Sequence, residues 1–340
     1  MCLDAAVEAR RTPLRGIPLA ELHAHLGGSV APPTMWTLLH RQGLANLPRD
    51  YWSFEKAITV SPEEGVADLA AYDRIFHLTE RIQSSPMAME LSVHDTIGGA
   101  YRHGVECLEL RYNPMKRNLH GTHPLDLDHI IMASSRGLDT ALLEYPQMRA
   151  GLILMMDRTF DYELNAIIVQ KALRYRDRGI VGIDVAGPPH PDFSYRALAP
   201  LVEEARQAGL GITIHTGEEG SIDDMWEVVE YLRPQRIGHG ILSAHDQRLM
   251  DRLVRDNIVL EICPTSNLLT HAVRDLQELR WILHRFRAHG VRFTINTDGP
   301  EMLCTSLWRE YDLLVSEGIL EEESVRTCNV LAHEVAFVRT

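Results

Sequence analysis

Short, nearly unbroken apolar runs alternate along this chain with longer stretches whose apolar residues recur at every third or fourth position. Eight of the short runs, at 17–26, 105–113, 149–156, 180–187, 210–217, 236–240, 257–263 and 291–297, are rich in β-branched and aliphatic residues. Ile153-Leu-Met-Met156 and Ile258-Val-Leu-Glu-Ile262 show almost no polar alternation, as strands buried on both faces require. The stretches between them carry helical spacing: 195–209, ending in a glycine suited to a C-cap, then 223–232 and 247–256. Strand and helix in alternation imply a parallel sheet. Eight repeats imply an α/β fold closed into a (β/α)8 TIM barrel.

One connection is too long for a simple crossover. Residues 27–104 hold several amphipathic stretches, including 68–83 and 87–103. A helical insertion after strand 1 falls at the rim where such barrels carry their chemistry, so it is expected to form a lid or pocket wall. After Pro300 the chain predicts two further helices, 305–317 and 321–335. No interdomain linker, low-complexity tract or short repeat interrupts residues 1–340, and one elaborated barrel domain is the economical reading.

Composition narrows the partners. A formal net charge of −13, with no Lys/Arg-rich run, argues against a nucleic-acid ligand. No stretch approaches the length of about 20 apolar residues that a membrane span needs, and residues 1–15 lack the apolar core of a signal peptide. Five cysteines (Cys2, Cys107, Cys263, Cys304, Cys328) are widely spaced and odd in number, which fits a reduced cytoplasmic compartment better than a disulfide framework. The oligomeric state is not fixed by the sequence.

Candidate chemistry sits where the predicted strands end. Glu21-Leu-His-Ala-His25 places two imidazoles at i and i+2, hence on one strand face. Such a pair alone reads more readily as a solvated or hydrogen-bonded pair than as a metal site. His215 and Asp298 end other strands at the same rim, and three imidazoles with a carboxylate suit an open zinc site, although Co²⁺, Fe²⁺ or Mn²⁺ accept the same donors. Glu218 reads either as a solvated cap or as a proton shuttle. His239, between two glycines, reads either as a turn histidine or as a base. Glu261, buried in the next strand, needs a partner; a bond to His239 would satisfy both, and an arginine would serve if the carboxylate faced outward. Cys263, followed by proline and with no base beside it in sequence, reads as a structural cysteine.

Taken in order, Glu21-Leu-His-Ala-His-Leu, Leu108-Glu-Leu-Arg-Tyr-Asn-Pro114, Gly182-Ile-Asp-Val-Ala-Gly187, His215-Thr-Gly-Glu218, Arg236-Ile-Gly-His-Gly240, Cys263-Pro-Thr-Ser-Asn267 and Asn296-Thr-Asp298 resemble the adenosine deaminase family of zinc-dependent amidohydrolases. The helical 68–83 segment and Asn329-Val-Leu-Ala-His333 are also similar to family counterparts. The resemblance implies one Zn²⁺ per chain, held by His23, His25, His215 and Asp298. It implies that Glu218 protonates purine N1, and that His239 and Asp298 hold the attacking hydroxide and accept its proton. It further implies that the Gly187 amide meets N3, with Glu261 and Ser266 supporting from behind.

Two positions depart from the family pattern. Gly299 stands where the family has a second aspartate that contacts purine N7, and Gly27 where adenosine-acting members commonly carry an aspartate near the ribose 5′-hydroxyl. The expectation is extra space at both places, with Glu301 or water filling in. A small-molecule 6-aminopurine nucleoside is the expected substrate, adenosine by default, with a 5′-substituted adenosine such as aminodeoxyfutalosine or methylthioadenosine as runner-up. A two-metal amidase or phosphoesterase is disfavoured because no lysine ends a predicted strand. A non-catalytic nucleoside-binding protein is the remaining alternative.

Overall fold

The structure, a computed structural model, describes residues 16–44, 48–63, 65–67, 69–118, 127–188, 190 and 193–338. Cys2, Asp68 and the N-terminal segment 1–15 lie outside the described residues. Eight parallel strands follow one another in sequence order: β1 (Leu19–His25), β2 (Val105–Tyr112), β3 (Arg149–Asp157), β4 (Ile180–Ala186), β5 (Gly211–Thr216), β6 (Arg236–His239), β7 (Val259–Ile262) and β8 (Arg292–Ile295). The ring closes just beyond β8, where the backbone of Asp298 both accepts from His25 N (2.7 Å) and donates to His23 O (2.9 Å). This is the (β/α)8 barrel expected from the alternation of patterns.

The helices start where their caps allow. Pro200, which lacks an N–H, is tolerated only in a first turn, so residues 195–198 form a 3₁₀ turn and the α-helix runs Ala199–Gln207, capped by Ala208 and followed by Gly209 with φ +85°. The 223–232 stretch divides into Ile222–Glu227, opened by a Ser221/Asp224 capping box, and a wide π turn Val228–Leu232. Of the long first connection, the helix Pro86–Arg102 packs on the barrel's outside against Asp128–Glu144. That approach needs Gly137, where a Cβ would lie 2.4 Å from Glu90 O. The helix Leu69–Ile82 instead covers the rim.

At the opposite end, the Phe337 ring lies against the Arg236 guanidinium (3.6 Å to centroid), and Glu109 pairs with Arg236 while capping the backbone of Phe337 and Val338. Asn329 in the last helix clamps β1 by accepting from Ala20 N and donating to Pro18 O. Among the described residues, no helix is long and apolar enough to cross a membrane, and Cys107, Cys263, Cys304 and Cys328 are unbridged.

Candidate active site

Strand periodicity brings the donor groups together. His23 and His25 project from one face of β1, His215 from the end of β5, and Asp298 from the turn that closes the ring. The ligand atoms of the three histidines lie within 4.8 Å of one another. His25 Nε2 is 3.1 Å from His215 Nε2, and Asp298 Oδ1 is 3.4 Å from His25 Nε2 and 3.9 Å from His23 Nε2. Burial, then the neighbouring positive groups, pushes all three imidazoles well below their usual pKa, so they stay neutral. His23 Nε2 is buried with no protein partner for its lone pair. Neutral inward-facing imidazoles beside a carboxylate are the donor set of an open divalent-metal site, and these residues fit one.

The outer nitrogens are held from behind. His23 Nδ1 pairs with Glu261 Oε2 at 2.7 Å. Asp184 accepts from the His215 backbone N–H (3.2 Å), and its other oxygen lies 2.8 Å from His215 Nδ1, close but outside hydrogen-bond geometry. Fully buried Arg111 joins the two carboxylates, donating from Nη1 to Asp184 (2.9 Å) and from Nη2 to Glu261 (2.8 Å).

The expected Glu261–His239 bond is not made. Glu261 stands level with Gly238 in the β6–β7 register, one position before His239, and its Oε2 is taken by His23 Nδ1 and the Arg111 guanidinium. Gly238 opens its route to His23, since a Cβ there would lie 2.9 Å from His23 Cε1. The remaining partners of Glu261 are Arg236 Nε (2.7 Å) and Thr213 Oγ1 (2.9 Å), so arginines do serve it, from inside the barrel.

His239 meets the Asn267 amide at Nδ1 (2.9 Å) and Glu218 at Nε2 (3.3 Å). With both nitrogens engaged, it is a poor ligand in the alternative His23–His239–Cys263 cluster, and burial pushes the Cys263 thiol well above its ordinary range. His239 and Asp298 take left-handed backbone angles (φ +60° and +66°), uncommon for non-glycine residues and found where function fixes a side chain. Ser266 Oγ donates to Asp298 Oδ2 (2.6 Å). Burial raises Glu218 to about 7 against a lowering by Arg158 and Thr270.

His25, Glu218, His239 and Asp298 open onto one cavity, whose other walls include Tyr72, Phe76 and Gly187. Gly187 has φ +90°, and a Cβ there would sit 2.7 Å from both Asp157 carboxylate oxygens, so only glycine lets the backbone line this wall.

The space expected at Gly27 and Gly299 is absent. A Cβ at Gly27 would meet Phe76 Cδ1 at 2.9 Å and Thr79 Oγ1 at 3.0 Å, while one at Gly299 would meet the Tyr72 hydroxyl at 3.2 Å. Glu301 lines a separate cavity with Tyr51, Trp52 and Arg102. Arg111, Asp184, Asn267 and Tyr72 are the supporting residues that the sequence reading missed. Asp184 carried a signal, being the one charged residue inside an otherwise apolar strand, whereas Arg111 shares its strand with Glu106 and Glu109.

The family model described as adenosine deaminase matches residues 18–340. An adenosine deaminase of Shewanella denitrificans is 30% identical over 326 residues, 95% of each chain. Among solved structures, an adenine deaminase from Arthrobacter aurescens aligns with a TM-score of 0.83 at 22% identity, covering 95% of this chain and 94% of that one. An amidohydrolase from Burkholderia ambifaria with bound zinc aligns at 0.84 and 21% identity, covering 99% and 89%. At that identity the two structures speak for the fold. Through the family match and the Shewanella relative, the chain belongs to the adenosine deaminase family and is an adenosine deaminase-like hydrolase.

Proposed function

We propose that the protein hydrolytically deaminates a 6-aminopurine nucleoside, adenosine or deoxyadenosine, with one zinc ion held by His23, His25, His215 and Asp298. The observation that carries this reading is the pairing of Glu218 with His239 at the mouth of the imidazole cluster, facing the same cavity. A purely structural metal site has no use for a buried acid and a second, non-ligating histidine there.

A zinc ion bound there supplies Lewis-acid activation of a water molecule. Glu218, held protonated near neutrality by burial, donates its proton to purine N1 and so draws electron density from C6. His239 orients the water and takes its proton as the oxygen–C6 bond forms. If the Asn267 carbonyl faces Nδ1–H, Nε2 is left with the lone pair this step needs. Asp298, steadied by Ser266, holds the same water from the other side. His239 passes that proton to the amino group and the C6–N bond breaks; ammonia leaves, and the remaining C6 hydroxyl proton returns to the Glu218 carboxylate as the 6-oxopurine forms. The Gly187 peptide is the partner we assign to N3.

The curated relative named adenosine deaminase supports a nucleoside over a free base. The filled space at Gly27 removes the ground for preferring a 5′-substituted substrate. The test is to strip the protein with chelator, restore zinc stepwise and follow conversion of adenosine to inosine by absorbance. Activity should rise to a plateau near one zinc per chain. A plateau near two, or adenosine turnover by the stripped protein, would overturn the reading.

A further inference from the structure

We infer that the Tyr72 hydroxyl recognises N7 of the purine, in the place of the second carboxylate that Gly299 lacks; this rests on the purine reading above. Residue 299 and Tyr72 contend for one volume. A Cβ on Gly299 would already lie 3.2 Å from the hydroxyl oxygen, so any side chain there presses on the Tyr72 tip. The small residue at 299 therefore goes with the tyrosine at 72.

The two departures at Gly27 and Gly299 form one structural arrangement. Tyr72 and Phe76 stand four residues apart on the helix Leu69–Ile82, hence on one face, with ring centroids 5.0 Å apart. Phe76 fills the room above Gly27 and Tyr72 that above Gly299. Beneath them Gly28 meets Gly299 so closely that a Cβ on Gly28 would be 2.7 Å from Gly299 Cα. Three glycines thus form a floor that lets this helix turn settle into the cavity, bringing a phenol hydroxyl where the family pattern has a carboxylate.

The hydroxyl is suited to the task. N7 of a purine is an acceptor only, and a phenol is a neutral donor. Tyr72 is buried yet lines the cavity with Glu218, His239 and Asp298. Its contact to Asp298 Oδ2 is long, at 3.4 Å, and that oxygen already accepts from Ser266 at 2.6 Å. Turning the O–H toward a ligand nitrogen therefore gives up little.

The experiment compares kcat/KM for adenosine and 7-deazaadenosine, which has a C–H at position 7, in the wild type and in Tyr72→Phe. The wild type should prefer adenosine by about twofold to tenfold, the range of one neutral hydrogen bond. In Tyr72→Phe, which keeps the ring and its packing, the preference should collapse to near unity with an unchanged melting temperature. An active Tyr72→Phe protein with undiminished preference overturns the assignment while leaving the purine reading intact. No turnover of either nucleoside by the wild type overturns both.

Discussion

The His25 backbone N–H donates to the Asp298 carbonyl oxygen over 2.7 Å, while the side chains of the same two residues approach to 3.4 Å. The seam where the ring of strands closes is therefore also where two of the inward-facing donors meet. An ion held there ties β1, β5 and the β8 turn together. Zinc at 100 times its dissociation constant stabilises the native state by about 2.7 kcal/mol, so the melting temperature should rise by about 5 °C. Asp298→Ala should lose both that increment and bound zinc, read by differential scanning calorimetry and metal analysis. Full zinc occupancy in Asp298→Ala would remove Asp298 from the ligand set.

Arg111 bridges the carboxylates behind His23 and His215 with one forked guanidinium. Lysine keeps the charge but offers a single point donor, so Arg111→Lys frees at least one of those carboxylates. Groups that orient metal-binding histidines typically contribute 10–100-fold in affinity, and a loss of about tenfold is expected here in competition with a chelator. Wild-type zinc affinity in a folded Arg111→Lys protein would reduce Arg111 to a packing role.

Glu218→Gln should lower kcat by about 10² or more while zinc remains bound, because the amide keeps the shape and loses the acidic proton. Unchanged turnover would transfer the proton donor's role elsewhere.

The pH dependence has a definite sign. Burial raises the Glu218 carboxyl from 4.5 to about 7. The native state thus binds this proton more tightly than the unfolded chain does between those values. The associated stability is full below about 4.5 and is lost as pH rises to about 7. The native donor itself stays protonated until pH nears about 7, so kcat/KM should fall as pH rises through that value. A profile flat from 6 to 8 would contradict the assignment.

Gly27→Asp should not recover a ribose contact. The new Cβ would lie 2.9 Å from Phe76 Cδ1 and 3.0 Å from Thr79 Oγ1, closer than ordinary contact, and overpacking of that kind costs about 1–3 kcal/mol. A lower melting temperature with no gain in KM for adenosine is expected. A tighter KM at unchanged stability would mean that the helix Leu69–Ile82 yields readily.

Eight strands and a shared rim were legible because each depends on local pattern. Apolar runs mark β1 to β8, and His23, His25, His215 and Asp298 all fall at strand ends. Boundaries shifted by a residue or more where backbone angles intervene, as at Gly240, whose φ of +69° ends β6 at His239. Partner choice was not legible. Glu261 chose His23 over His239 through register across the barrel, and Arg111 found Asp184 from two strands away. Gly27 and Gly299 were misread because a missing side chain does not reveal what fills its place. Here Phe76 and Tyr72, distant in sequence, supplied the answer.

The most direct measurement is ammonia release by the zinc-loaded protein from adenosine, deoxyadenosine, adenine, methylthioadenosine and aminodeoxyfutalosine at equal concentration. Adenosine and deoxyadenosine should release ammonia with matching formation of inosine and deoxyinosine, ahead of the other three. Release from the 5′-substituted compounds alone, or from none of the five, would contradict deamination of a plain purine nucleoside.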